Sequence, residues 1–381
     1  MEVPSDARII DGQGRWVIPG LVDVHTHSAQ EGALRRFLAL GFTTVHLMPG
    51  RSVPDNPGEV EKRSESPENH TPRLHLSPIF SGGFPESAIP GLHQFKPKTV
   101  LEARQAVRGF KQLGFRSIKI IQEDGLPWMG SAVAPRLLPE VFAALVDEAQ
   151  RLDMRVYVHT TQLVDTRAAI LAGLNAFMHG TMDTLIDDSL WGEMLSRKIV
   201  WTPTYRVVLA EGDPPDYAQR ILSDTKLTES LLDAELSKYR SDASMKAADI
   251  SSRFPGLAPN LSTYVSNLHQ NTQQAQSRGV TIALGSDGGP PGLGSHLEME
   301  FLYEAGLTPA QVIVAATYGG ATALGVDDEI GSIEPGKLAD LIVLTADPLE
   351  DIRNSRKIEW VIKGGVPMKP KEILASSASQ E

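Results

Sequence analysis

The stretch Val17-Ile18-Pro19-Gly20-Leu21-Val22-Asp23-Val24-His25-Thr26-His27 decides how the rest of the chain is read. A Pro-Gly turn releases an apolar, β-branched run, and the run ends in two histidines separated by one residue. Side chains alternate between the faces of a strand, so His25 and His27 share one. If this strand belongs to a parallel barrel, the shared face is the interior, and the C-terminal strand end is where barrel enzymes keep their active sites. A His-x-His pair alone is as often a hydrogen-bonded rim pair as a ligand pair, so the other strand ends carry the decision.

Seven further short apolar runs follow, at 43–48, 73–80, 117–121, 155–160, 176–180, 199–204 and 281–286. Between several of them lie amphipathic stretches with helical spacing, at 101–113, 138–152 and 166–172. Strands alternating with helices imply parallel pairing through right-handed crossovers. Eight such units predict an α/β fold of the closed (β/α)8 TIM-barrel type over 20–326, in preference to a doubly wound sheet. The ends read differently. Short strands at 8–12 and 16–20 and again at 331–333, 338–344 and 358–363 predict a small β-sandwich domain built from residues 1–19 and 327–370, followed by a flexible tail at 371–381. Two insertions stand out: a Pro/Gly-rich loop at 81–98, and a long excursion at 205–278 that is expected to include a lid.

Composition narrows the chemistry. Of 381 residues, 41% are hydrophobic and 22% charged, an ordinary soluble balance. A net charge of −11 argues against nucleic acid or an anionic membrane as partner and leaves a small molecule as the expected one, with a homo-oligomer as the expected state. There is no cysteine, so any metal is held by nitrogen and oxygen, and the expected location is the cytoplasm, with a removed leader left open.

The other strand ends carry Lys119 in Ser117-Ile118-Lys119-Ile120-Ile121, His159 in Val156-Tyr157-Val158-His159, His179 in Ala176-Phe177-Met178-His179-Gly180, and Asp287 after Ala283-Leu284-Gly285-Ser286. Six metal-competent residues at the ends of five strands of one barrel are hard to explain as packing. His46 and His75 lie mid-strand and read as satisfied interior groups, His70 and His269 as solvent-facing.

With these residues in place, the chain resembles the amidohydrolase superfamily. The resemblance opens at Val17–His27, continues through Lys119, His159, His179-Gly180 and Ser286-Asp287, and closes in Gly336-Lys337-Leu338-Ala339-Asp340-Leu341 with Asp347-Pro348-Leu349. It implies two divalent ions, with Zn²⁺ expected: His25 and His27 on one, His159 and His179 on the other, a carbamate on Lys119 formed from CO2 bridging them, and Asp287 both ligand and proton shuttle. Deaminases of the superfamily carry a glutamate shortly after the fifth-strand histidine, whereas His159 is followed here by Thr160-Thr161-Gln162. The chain therefore looks most like the prolidase-like and N-acyl-amino-acid-hydrolysing members, with imidazolonepropionase-like kinship. Those relatives often place a histidine after paired glycines past the third strand; Gly82-Gly83 is followed here by Phe84, and His93 is the candidate replacement.

The expected function is metal-dependent hydrolysis of an amide or peptide C–N bond, in a dipeptide or N-acyl amino acid, by a hydroxide shared between the ions with Asp287 moving the proton. Alternatives are a phosphotriesterase or lactonase on the same site, a mononuclear deaminase, and an inactive relative serving in assembly. Tyr205 and Arg206, where the seventh strand leaves the barrel, are expected to hold a substrate carboxylate, and His296 and His93 are further candidate substrate contacts. Relatives usually carry several strands ahead of Pro19-Gly20, and fewer than twenty residues precede it here, so the expectation is a reduced β-domain or a chain that begins late.

Overall fold

Alternation of apolar strands with amphipathic helices becomes parallel sheet in the structure, a computed structural model that describes residues 9–48, 54, 56–84, 93–229 and 231–375. After β1 (Trp16–Pro19), the strands β2 (Leu21–Thr26), β3 (Phe42–Leu47) and β4 (Arg73–Leu76) form one parallel sheet. A second parallel sheet comprises β5 (Ile79–Ser81), β6 (Ser117–Ile121), β7 (Arg155–His159) and β8 (Ala176–Phe177). All residues of β2, β3 and β6 are buried, which is why these strands read as continuous apolar runs and not as an alternation.

The single run expected at 73–80 is two strands, because Pro78 lacks an N–H and interrupts the ladder. The backbone still connects across the break: Ser77 N donates to Leu47 O (3.3 Å) and Lys119 N to Pro78 O (2.9 Å). The runs expected at 199–204 and 281–286 shrink to single bridges, Val200 with Ala176 and Trp201 with Ile282. Val24 N donates to Leu284 O at 2.9 Å, which brings the last run against β2.

Helices fall between the strands where the spacing placed them. Helix Val100–Gln112 buries Ala103, Val107 and Phe110 at helical intervals and is capped by Thr99, whose side chain accepts from Glu102 N. It packs on helix Pro139–Arg151, and Arg104 and Arg108 both reach the buried Glu148 (2.8 and 2.7 Å). Residues 205–278 form a run of helices, among them Tyr205–Gly212, Pro214–Ser223, Asp233–Asp242 and Leu257–Arg278. In the loop expected at 81–98, residues 85–92 lie outside the described ones.

Strands from both chain ends meet in one antiparallel sheet, ordered β1, β9 (Leu341–Leu344), β10 (Ile358–Lys363), β11 (Val366–Met368). The described residues make this a single four-stranded sheet where a sandwich was expected, and neither 9–12 nor 331–333 is strand. The predicted tail also differs at its start. Pro370–Ala375 is a helix, held by the buried Ile373 and packed on helix Glu31–Ala39; 376–381 lie outside the described residues.

Two polar contacts tie this sheet to the body that carries the site. Lys363 is fully buried, and its ammonium donates to the carbonyls of Ser64 (2.6 Å), Ser66 (2.9 Å) and Thr71 (2.9 Å) at the end of helix Pro57–Ser64. Asp340 pairs with Arg73 and accepts from Gly364 N (2.7 Å), so the acid of the Ala339-Asp340-Leu341 stretch has a structural task. Lys363→Met removes all three donors and leaves buried carbonyls unsatisfied, at a cost of about 3 kcal/mol. Urea denaturation should show that loss as a lower midpoint with an unchanged slope; an unchanged midpoint would mean water replaces the ammonium.

Candidate active site

His25 and His27 lie where β2 ends, and the structure places both against the same carboxylate oxygen. Asp287 Oδ1 is 3.3 Å from His25 Nε2 and 2.9 Å from His27 Nε2. The other nitrogen of His27 fixes its tautomer: Nδ1 lies 2.7 Å from Met48 O, and a carbonyl offers only lone pairs, so Nδ1 carries the proton. In the neutral ring Nε2 then turns a lone pair toward Asp287. A cation placed between them resolves that opposition, and these three residues bring ligand atoms within 4.8 Å of one another.

Backbone geometry aims Asp287. Its φ is +50°, a left-handed conformation uncommon outside glycine, and Gly288 (+103°) and Gly289 (+83°) follow it. Its N–H donates to His25 O (2.8 Å), so the histidine-bearing strand and the acid are joined directly. Beneath them Asp23, fully buried, accepts from His25 N (2.9 Å), Ser286 Oγ (2.6 Å) and Ser295 Oγ (2.6 Å), locking β2 to the segment that carries Asp287. Close approach is needed here: a Cβ on Gly285 would lie 2.9 Å from His25 Cβ.

The second histidine pair adjoins the first. The His159 and His179 rings are 4.1 Å apart, the His25 and His179 rings 5.0 Å, and His179 Nε2 is 3.7 Å from Asp287 Oδ2. His179 Nδ1 pairs with Thr204 Oγ1 (2.7 Å), and Thr204 itself sits at φ +57°. Lys119, on β6, is buried and its Nζ has no hydrogen-bond partner among the described residues. Burial lowers its amine to about 7, against the opposing pull of Asp287 and Glu123. His25 Nδ1 is likewise buried and unpartnered. Burial, then the charge of Lys119, pushes His25 well below the usual histidine range. Burial alone would raise Asp287, but the surrounding His25, His27 and His179 hold its carboxyl well below the usual range. Orphaned buried nitrogens and an ionised carboxylate in one place form a donor set that fits divalent metal ions.

Glu123 is a member of this cluster that sequence reasoning missed. Its Oε1 lies 3.0 Å from His159 Nε2, while Oε2 accepts from Thr161 N (3.0 Å) and Thr161 Oγ1 (2.7 Å). A carboxylate behind a ligand histidine fixes the ring and raises its basicity. The available signal was position: Glu123 follows β6 by two residues, at the same end as His159 on the paired strand.

Several expected substrate contacts are placed elsewhere. Tyr205 is fully buried, with its phenol on Leu268 O (3.1 Å) and Thr272 Oγ1 (2.8 Å), because the left-handed turn at Thr204 starts a helix that carries the ring into the core. The guanidinium of Arg206 is turned onto the carbonyls of Ser286 and Asp287 and is not free for a carboxylate. His296 is buried between Ser355 Oγ (3.0 Å) and Leu40 O (2.9 Å), the carbonyl at the end of helix Glu31–Ala39, and does not face the site. His93 is exposed. His46 is buried on Ser77 Oγ (2.8 Å), an interior group as expected, whereas His269 is half-buried against Tyr205. The long insertion also reaches the site's rim: Gly256 N donates to Trp128 O (3.0 Å), and the Trp128 ring lies 6.4 Å from that of His179.

Comparison with known proteins places this geometry. Ochratoxinase of Aspergillus niger is 28% identical over 276 residues, 70% of this chain and 49% of that protein, so the match spans about half the relative's length. Imidazolonepropionase of Alkaliphilus metalliredigens is 22% identical over 392 residues, covering 96% of this chain and 84% of that protein. A solved structure from Bifidobacterium longum, assigned as a prolidase, superimposes with a TM-score of 0.72 at 26% identity, covering 100% of this chain and 89% of its own. The profile of the amidohydrolase family matches residues 16–368, and the chain belongs to that family.

Proposed function

We propose that the protein is a metal-dependent hydrolase of amide or peptide C–N bonds, acting on a dipeptide or an N-acyl amino acid. The observation that carries the reading is the convergence of His25 Nε2 and His27 Nε2 on Asp287 Oδ1, with the His27 proton committed to Met48 O. The amide chemistry of the relatives, ochratoxinase, imidazolonepropionase and prolidase, supports the substrate class. We propose further that the two parallel sheets belong to one (β/α)8 barrel; the bridges at Val200 and Trp201 and the Val24–Leu284 hydrogen bond support closure.

In this reading His25, His27 and Asp287 would hold one ion and His159 and His179 a second. Lys119 would join them as a carbamate: its uncharged amine adds to CO2 with loss of one proton, which converts an orphaned donor into two anionic oxygens. The ions, zinc being the expected pair for an all-nitrogen-and-oxygen set, supply activation of water and polarisation of the scissile carbonyl. Asp287 takes the proton of the attacking water on its carboxylate and returns it to the leaving amine, which departs neutral. Glu123 keeps the His159 ring in place throughout.

Hydrolysis of a panel of dipeptides, N-acyl amino acids, lactones and aryl phosphotriesters tests the substrate class. Turnover of the first two is expected, and activity confined to lactones or phosphotriesters would replace the amide reading. By elemental analysis the purified protein should carry about two divalent ions per chain. Lys119→Ala should lower that content and abolish turnover; full activity without added small carboxylates would rule out the carbamate. Asp287→Asn should lower kcat roughly 10²–10⁴-fold while the fold survives. A fall of less than about tenfold would place the proton carrier elsewhere.

A further inference from the structure

We infer that Arg206 is a positioning residue for Asp287, a buried clamp that sets the direction of the carboxylate; the inference rests on the metal-site reading above. Arg206 Nε donates to Ser286 O (2.7 Å) and Nη2 to Asp287 O (2.8 Å). Two consecutive carbonyls held by one rigid planar fork fix the two peptide planes on either side of the Asp287 Cα. Those planes define its φ of +50°, and with it the vector along which the side chain leaves toward His25 and His27. A conformation that an L-residue rarely adopts persists only where the surroundings over-determine it, and here the guanidinium supplies that constraint.

The clamp is itself anchored. Glu298, buried on helix Leu293–Glu304, accepts from the backbone N–H groups of Tyr205 (2.9 Å) and Arg206 (2.7 Å), pinning the helix start from which the guanidinium extends. The loop is shaped to wrap the fork. A Cβ on Gly289 would fall 3.1 Å from Arg206 Nη1, and one on Gly294 would fall 3.3 Å from Arg206 Cδ and 2.5 Å from Gly288 O. Glycines therefore line the guanidinium where side chains have no room. Among the described residues Arg206 makes no ion pair within 4 Å, although it is 7% exposed. Its Nε and Nη2 serve backbone carbonyls, with the Tyr217 phenol beside the guanidinium, a use that explains why an arginine is buried there. Lysine cannot reproduce it, since a single ammonium does not span two carbonyls with planar geometry.

Cobalt binding to the apoprotein tests this, because the visible d–d absorption of Co²⁺ reports affinity and ligand geometry without any substrate. Wild type, Arg206→Lys, Arg206→Met and Tyr205→Phe are titrated with Co²⁺ alone. Tyr205→Phe is the structural control, since it deletes the buried phenol's hydrogen bonds and leaves the Asp287 loop untouched. Arg206→Met should bind Co²⁺ roughly 10–100-fold more weakly with an altered spectrum, as loss of an outer support does to a metal site. Arg206→Lys, which keeps the charge and guards against a misfolded methionine variant, should show the same altered spectrum with a smaller loss. Tyr205→Phe should match wild type. Wild-type affinity and spectrum in folded Arg206→Lys and Arg206→Met would overturn the inference and leave the metal reading standing. Absence of Co²⁺ binding by the wild-type chain would overturn the metal reading, and the clamp with it.

Discussion

Everything in the site depends on one carboxylate, Asp287, being held against two histidine nitrogens, of which His27 Nε2 presents a lone pair. Such a cluster is unfavourable by itself, because burial penalises charge and like-signed electron density repels. The protein holds it with rigid backbone: Asp23 fastens β2 to the Ser286 segment from below, the Asp287 N–H bonds to His25 O, and Arg206 grips the carbonyls of Ser286 and Asp287 from the side. Strain at Asp287 and Thr204, both at positive φ, is concentrated where the histidines and the carboxylate converge, and β2 and β6 beneath them are buried throughout. A pre-aimed donor set, open to solvent on the side of His27, is what a bound divalent ion requires.

The parts of this that a sequence displays are those set by local periodicity. His25 and His27 are readable because a strand repeats every two residues, and Lys119 because a lysine amid Ile118 and Ile120 has no place on a buried strand without a task. His159, His179 and Asp287 become readable once strand ends are treated as one locus. The direction of a side chain after a strand ends is not readable in this way. Tyr205 and Arg206 were expected at the mouth, but the left-handed turn at Thr204 starts a helix that sends the phenol inward and the guanidinium onto a loop some eighty residues later in the chain. Glu123 and Glu298 escaped notice for the same reason: an acid beyond a strand end or inside a helix looks solvated until its partners, His159 or two backbone amides, are brought to it by folding.

The periphery follows the same division. Of the terminal strands, those at 16–19, 341–344 and 358–363 were legible from their turns and β-branched residues, and the pairing of β1 with β9 unites chain ends more than three hundred residues apart. Their arrangement as one sheet, and the role of Lys363 as the cation that satisfies three carbonyls beneath it, belong to tertiary packing. Pro78 shows how a single residue redraws an element, by breaking one expected strand into β4 and β5 while the flanking carbonyl still pairs with Lys119 N. That bond matters to the site, because it fixes the backbone register of the lysine whose amine has no hydrogen-bond partner among the described residues.

The central claim, that these residues form a binuclear metal centre, is tested most directly by anomalous diffraction at the zinc absorption edge from crystals of the zinc-loaded protein. The account predicts two peaks about 3.5–4 Å apart. One should lie among His25, His27 and Asp287, the other beside His159 and His179, with density for a carboxylate extending Lys119 Nζ between them. A single peak with an unmodified Lys119 amine, or zinc bound away from these residues, would contradict it.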